Sequence, residues 1–457
     1  MIPRASGPLL LALFLATTSA RAQIGTSFNR TGSGARAAGM ANAFIAVSDD
    51  GTAASWNPAG LGQLRKPELS VVSSTIGRSL DAQGFRTRDD LAAFTSAHSS
   101  YQGTYLDFAS LAVPVTLWKK PVTFQASWRR LYALDYREVV DTTRVPVGPE
   151  GPPPVRADMN ADLGGSVNLL SVAGAVKLTS RLALGGSFNH WRGDWTEDQS
   201  FAATPLEGGT TTFRTFSRTN SVRGNSFSAG LLLAYTHWSI GLVHQGSLDG
   251  DFDATESLIA SGEEPATAAV SDATLHFPRA FGAGGAWRPS PRWTIALDFT
   301  WDDWSEANFD TPDRGRINFL DGLPPDRTSS RDTITVSGGA ERLFFGEGFV
   351  VPLRFGAAWE PQGARDPYTR DPVNFVMLAV GTGYNTNSIK VDAAFQYRWA
   401  SYTTGGDFGL APLPPTELPY AVGERTSREW RLKFSLIVRL TDTEKLDRTL
   451  KKVFGGS

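Results

Sequence analysis

From Pro67 onward the chain alternates apolar and polar residues in segments of roughly ten to eighteen positions, each ended by a turn signal. The last segment is the cleanest. Trp430, Leu432, Phe434, Leu436, Val438 and Leu440 share one face and Arg431, Lys433, Ser435 and Arg439 the other, with Ile437 alone breaking the polar side. Trp293, Ile295, Leu297, Phe299 and Trp301 alternate in the same way with Thr294, Ala296, Asp298, Thr300 and Asp302, and the stretch from Ile389 to Trp399 repeats the pattern. A period of two puts successive side chains on opposite faces of a strand. A soluble sandwich would also alternate, but it would bury its apolar face between two sheets and turn the charged face outward.

The connections separate these cases. Fourteen strands are predicted, at 67–79, 104–118, 121–138, 164–179, 181–201, 212–235, 238–254, 271–288, 292–309, 328–344, 350–363, 373–385, 388–403 and 426–440. Every second join is tight, as at Lys119-Lys120, Ser180, Thr236-His237 and Thr386-Asn387. The others are mostly long and polar or proline-rich, as at Val139 to Leu163 and Thr404 to Arg425. An even strand count with short turns on one side and long loops on the other is how outer-membrane barrels are built. Aromatic residues agree: Trp118, Tyr235, Trp238, Trp287, Trp293 and Phe344 fall at the short-turn ends, and Tyr132, Trp191, Trp301, Trp359, Trp399 and Trp430 toward the loop ends, as two interfacial girdles. The predicted fold is all-β, a transmembrane antiparallel barrel spanning 67–440.

Composition removes other classes. The chain of 457 residues has no cysteine, so disulfides and thiolate metal sites are excluded, and its net charge of -2 offers no basic footprint for nucleic acid. Its histidines are scattered, with no metal site and no cofactor motif. The two H-x-S stretches, His98-Ser99-Ser100 and His237-Trp238-Ser239, fall in a loop and a short turn, so no nucleophile and base come together and an enzyme is not expected. Arg4, an apolar run from Leu9 to Ala16 and Ala20-Arg21-Ala22 before Gln23 read as a signal peptide, 1–22, with cleavage and export. Its apolar run is too short to cross about 30 Å of hydrocarbon.

The stretch between export signal and first strand differs from everything after it. TGSGARAAGMANAFIAVSDDGTAASWNPAGLG, from Thr31 to Gly62, is small and Gly/Ala-rich, with Arg36, Asp49 and Asp50 as its only ionised side chains. Pro58 stiffens the turn Asn57-Pro58-Ala59-Gly60, while the flanking glycines leave it free to rearrange. Phe28, Phe44, Ile45, Trp56 and Leu61 are its apolar side chains, candidates either for packing or for contact with a hydrophobic ligand. By the alternation above, a barrel lumen would carry Arg129, Lys177, Arg354, Lys390, Arg398, Arg431, Lys433 and Arg439 beside Asp298, Asp302, Glu360 and Asp392. Salt bridges from Asp49 and Asp50 to that wall are expected, since an unpaired charge in a confined lumen is costly.

This block, with its acidic pair Asp49-Asp50, its turn Asn57-Pro58-Ala59 and the strand PELSVVSS that follows, resembles the hatch of the FadL family of outer-membrane transporters for hydrophobic compounds. The resemblance implies a hatch or plug over 23–66 inside a fourteen-strand barrel in a bacterial outer membrane. It also implies passive transport of fatty acids or hydrocarbons, with membrane lipid and a hydrophobic small molecule as partners. The sequence departs from the family in its largely polar first loop, Leu80 to Gly103, and in a tail after Leu440. That tail, 441–457, opens on a Thr441/Glu444 capping pair and reads as a short periplasmic helix able to dock on a partner. A related branch serves secretion systems as a barrel accessory subunit, the alternative function.

Overall fold

The computed structural model describes residues 28–87, 89–117, 119–312, 315–320, 323–365, 369–406 and 421–440. The signal peptide, Trp118 and the tail lie outside them. Strands β1 (Glu68–Thr87), β2 (Ala97–Leu117), β3 (Lys120–Ala133, continued by Tyr136–Pro146), β4 (Val155–Lys177), β5 (Leu182–Pro205) and β6 (Thr212–Ala234) run antiparallel, each joined to its neighbour. They are followed by β7 (Trp238–Gln245, continued by Leu248–Ala260), β8 (Ala266–Phe277, continued by Ala280–Ser290) and β9 (Trp293–Asp302). Then come β10 (Thr333–Phe345), β11 (Phe349–Arg365), β12 (Pro372–Thr386), β13 (Ile389–Gly406) and β14 (Ala421–Arg439). β14 pairs with β1 from Glu68↔Arg439 to Thr87↔Ala421, which closes the ring at fourteen staves.

The alternation explains the closure. Leu69, Leu111, Phe124, Val172, Phe227, Ile240, Leu297, Phe355, Leu378 and Phe434 all point outward and are exposed, whereas Gln125, Asp298, Arg354, Asp392, Gln396 and Ser435 point inward and are buried. An apolar outside around a polar inside is stable only where hydrocarbon replaces water outside, and closure leaves no unpaired strand edge. Among the described residues no helix is long and apolar enough to cross a membrane. All fourteen predicted strands are present, but many extend further toward the loops. β5 has 24 residues and β6 has 23, where about ten suffice to cross a bilayer. Above the bilayer both faces meet water, so the apolar–polar signal fades while the ladder continues.

Two residues assigned to the loop-side girdle are inside. Trp191 is 3% exposed and Tyr132 5%. Trp191 shares the parity of buried Asn189, opposite to exposed Phe188, so its side chain faces the lumen. Tyr132 follows a bulge in the pairing of β3 with β4 between Arg130 and Tyr132, and one extra residue switches the face of everything beyond it. Trp238, Trp287, Trp293 and Phe344 at the short-turn ends, and Trp359 at the other, are exposed on the outside as expected.

Candidate functional site

The segment from Phe28 to Lys66 lies within the ring and is held from all sides. A short helix, α1 (Ala35–Gly39), starts where Ser435 Oγ on β14 accepts from the Ala35 amide at 2.6 Å, and Gln396 on β13 donates to the Ala38 carbonyl at 3.0 Å. Asp298 on β9 accepts from the amides of Phe44 and Ile45 at 2.6 and 2.7 Å, and Ser239 on β7 donates to the Ala46 carbonyl. On the opposite wall Glu68 of β1 accepts from the Gly51 amide, while Ser110 of β2 and Gln125 of β3 donate to its carbonyl. These are wall side chains satisfying backbone groups that a short irregular segment cannot pair internally.

The Asn57-Pro58-Ala59-Gly60 turn begins the 3-10 stretch Pro58–Gln63, with Asn57 as its cap: Oδ1 accepts from the Ala59 amide at 3.1 Å. Asn57 Nδ2 donates to the carbonyls of Ile45 at 3.2 Å and Leu231 on β6 at 3.1 Å, tying the turn both to its own segment and to the wall. The wall admits the turn because Gly230 faces it, where a Cβ would stand 2.0 Å from Asn57 Oδ1.

The acidic pair does not reach the wall cations. Asp49 takes Arg36 Nη1 at 2.5 Å, and Asp50 Oδ1 accepts from the amide and hydroxyl of Thr52. Arg36 is the tie: its guanidinium also forks onto Glu341 of β10 at 2.9 and 3.0 Å. The chain between them folds back on itself, so a cation of the same segment is nearer to Asp49 than any on the wall. Glu341 in turn receives Arg354 at 2.7 Å, and Arg354 donates to Asp392 at 2.7 Å. Arg354 is fully buried and Lys390 9% exposed. Arg398, Arg431 and Lys433 belong to a second cluster, in which Arg78, Arg398 and Arg431 converge on Glu429, Arg398 also meets Glu360, and Lys433 meets Asp107 at 3.8 Å.

Of the five apolar candidates, four pack the segment itself. Phe44 stacks edge-on against Trp56 with centroids 5.9 Å apart, Ile45 lies against glycines of the wall, and Leu61 sits among Ala53, Leu64, Ala112 and Ala173. Phe28 alone enters a larger apolar cluster on the loop side of the lumen, formed with Tyr132, Trp191, Phe277, Trp304, Phe319 and Leu320. The sequence reading missed this cluster, apart from Phe28, because its members come from β3 to β8, from Ala364 on β11 and from a chain that turns inward after β9, at Trp304–Glu306. The parity of Trp191 against Phe188 was the one local signal for it.

The wall beside the lumen is not fully zipped. Among the described residues the ladder between β2 and β3 ends at Phe108↔Arg129, while β2 continues along β1 to Ala97 and β3 along β4 to Arg144. Beyond that point side chains bridge the two strands: Ser99 Oγ donates to the Arg137 carbonyl and accepts from the Val139 amide. A polar cavity of about 80 Å³ lies behind this seam, lined by Arg78, Asp107, Arg130, Tyr132, Glu429 and Lys433 among others.

A ring of this kind is also found in solved structures. The crystal structure of a Pseudomonas aeruginosa FadL homologue superposes with a TM-score of 0.64 at 12% identity, over 91% of this chain and 100% of that one. This chain has the FadL fold. The Ralstonia pickettii toluene transporter TbuX follows at 0.56 and 16%, over 91% and 100% of the two chains, and the P. putida toluene transporter TodX at 0.58 and 14%, over 90% and 99%. No protein-family model and no curated protein matches the sequence.

Proposed function

We propose that this FadL-fold chain is a passive outer-membrane channel for hydrophobic, ring-bearing small molecules such as monoaromatic hydrocarbons. The observation that carries the reading is the lumenal cluster of Phe28, Tyr132, Trp191, Phe277, Trp304 and Phe319, aromatic rings gathered inside a membrane wall and above a packed segment. Aromatic faces and edges attract a small ring through offset and edge-on contacts, and the transporters TbuX and TodX, of the same fold, carry toluene. Long-chain fatty acids fit less well, because Arg354, Arg398, Arg431 and Lys433 already hold carboxylates of the protein.

In this reading the loops collect the ligand and the aromatic cluster parts to hold it. The N-terminal segment acts as a hatch whose rearrangement opens the path, with the β2–β3 seam as one place where the wall can yield. The ligand's gradient supplies the drive, and binding selects the open arrangement. Cells carrying the protein are expected to take up labelled toluene faster than cells without it, and labelled oleate no faster. Equal toluene uptake in both strains would sink the proposal. The chain has no native cysteine, so Ala35→Cys with Ser435→Cys gives a specific crosslink between segment and wall. Uptake that survives the crosslink would show that the hatch need not move.

A further inference from the structure

The wall has a second irregularity, between β7 and β8. Their ladder runs to Gln245↔Ala280 and resumes at Leu248↔Phe277. The two pairs between, Gly246 with Arg279 and Ser247 with Pro278, are absent from it. Proline has no N–H to give, so this is a gap that backbone alone cannot close.

A side chain from inside the barrel closes it. Arg30 Nη1 donates to the Gly246 carbonyl at 3.0 Å, and Nη2 donates to the Pro278 carbonyl. One guanidinium therefore bonds both edges of the gap, replacing the missing rungs with charge-assisted hydrogen bonds. The same guanidinium lies over Phe277 and Trp191, at 4.8 and 5.6 Å from the ring centroids. It thus covers the two ring faces of the cluster that a flat ligand would take. Cation–π attraction holds it there.

Just below the gap the wall borders open space on both faces. A cavity on the lumen side, bordered by Arg30, Ile45, Gln245 and Asp298, includes Val243 and Gly282 in its lining. An apolar depression on the lipid side, bordered by Leu231, His244, Phe281, Trp301 and Ile334, includes the same two residues. Val243 and Gly282 pair with each other on the ladder just below the gap.

We infer that Arg30 is a removable clasp: an aromatic ligand that takes its place on Trp191 and Phe277 frees the Gly246 and Pro278 carbonyls and opens a window to the lipid between β7 and β8. The aromatic-ligand half of this rests on the channel reading above; the clasp itself does not. Arg30 links the two events because its positions against the rings and across the gap are one position.

The test uses single cysteines in the full chain, reconstituted in vesicles and challenged with a maleimide carried on an acyl chain, which stays in the bilayer. Gln245→Cys lies on the lumen side at the lower edge of the gap. Ser337→Cys lines the same cavity but stands on β10, behind an uninterrupted ladder. With Arg30 intact both are expected to react slowly. Arg30→Met should speed the reaction at position 245 by about tenfold, the factor one net hydrogen bond to a charged group is worth, and leave position 337 unchanged. Saturating toluene should do the same with Arg30 present. Arg30→Lys, which keeps the charge but not the fork, should fall between.

Equal rates at 245 with arginine and methionine would overturn the clasp, as would equal acceleration at 245 and 337, which means entry by another route. If Arg30→Met does not fold, unchanged labelling at 245 under toluene, with toluene binding shown by calorimetry on the same sample, overturns the inference by itself. Failure of toluene to bind at all overturns the channel reading instead and leaves the methionine comparison to judge the clasp.

Discussion

Arg36 is the residue on which the inner segment's charge depends. It bonds Asp49 of its own segment and Glu341 of the wall; Arg36 and Glu341 are largely removed from water, while Asp49 is half-buried. Buried pairs of this kind add little net stability over apolar packing, but removing one partner strands the others. Arg36→Met is therefore expected to destabilise the protein by about 3 kcal/mol, the lower part of the range for breaking a buried pair. The loss of the folded band on unheated denaturing gels should move to a correspondingly lower temperature. Adding Glu341→Gln should cost less than the sum of the two changes, because Glu341 then needs no cation. Additive effects would show that the pair is not coupled.

At the scale of elements, the breaks in the strands carry the particular character of this barrel. The bulge in β3 turns Tyr132 inward, the gap in β7 and β8 exposes two carbonyls, and the chain after β9 leaves the wall to bring Trp304 into the lumen. On the loop side the strand Asn308–Thr311 is tied back by charge. Asp310 receives both the Arg316 guanidinium and His276, and His276 also meets Asp249 at 2.7 Å. Hydrogen bonds from Arg316 first, and from His276 after, hold the Asp310 carboxyl down to about 2, against 3.8 for a free aspartate.

A depressed carboxylate stabilises the fold above its unfolded value and loses that contribution as pH falls through its folded one. The attachment of this strand should therefore be intact at pH 5 and weaken between about pH 4 and 2. Because the pair is exposed, the effect is at most about 1 kcal/mol. Amide exchange at 308–311 measured against pH checks it. Asp310→Asn should lower the protection of these amides a few-fold at pH 5, where the backbone pairing with β8 remains, and make protection independent of pH between 4 and 2; wild-type protection that stays constant down to pH 2 would refute the link.

The whole molecule is a wide ring made narrow by its own N-terminal segment. Fourteen staves enclose a lumen that would conduct ions if open, yet residues 28–66 bond to strands around the circumference. Planar-bilayer recordings of the intact protein should show no stable ion-conducting steps. A chain lacking 28–64 should show steps of porin-like size. Steady conductance by the intact protein would mean that the segment does not seal the ring.

The division between what was legible and what was not follows from where each signal lies in the chain. Strand number, the order of short turns and long loops, and the apolar belt are properties of neighbouring residues, since a period of two is written into positions i and i+2. The turn at Asn57-Pro58-Ala59 is local in the same way. The lumen was legible only as a list of charges. Arg354, Lys390, Arg398, Arg431 and Lys433 could be assigned to the inward face by parity, but their partners lie on strands far away in the chain, and Asp49 paired with Arg36 rather than with any of them.

The sequence by itself determined a closed, membrane-facing barrel with a small-residue segment ahead of it, because alternation and turn chemistry are short-range. Only the tertiary structure decided what the lumen holds: that Trp191 and Tyr132 leave the girdle for an aromatic cluster, and that Arg30 lies across a gap more than two hundred residues away. Those facts depend on closing the ring, which brings distant strands to a common centre, and on a one-residue bulge whose effect is felt by every side chain beyond it.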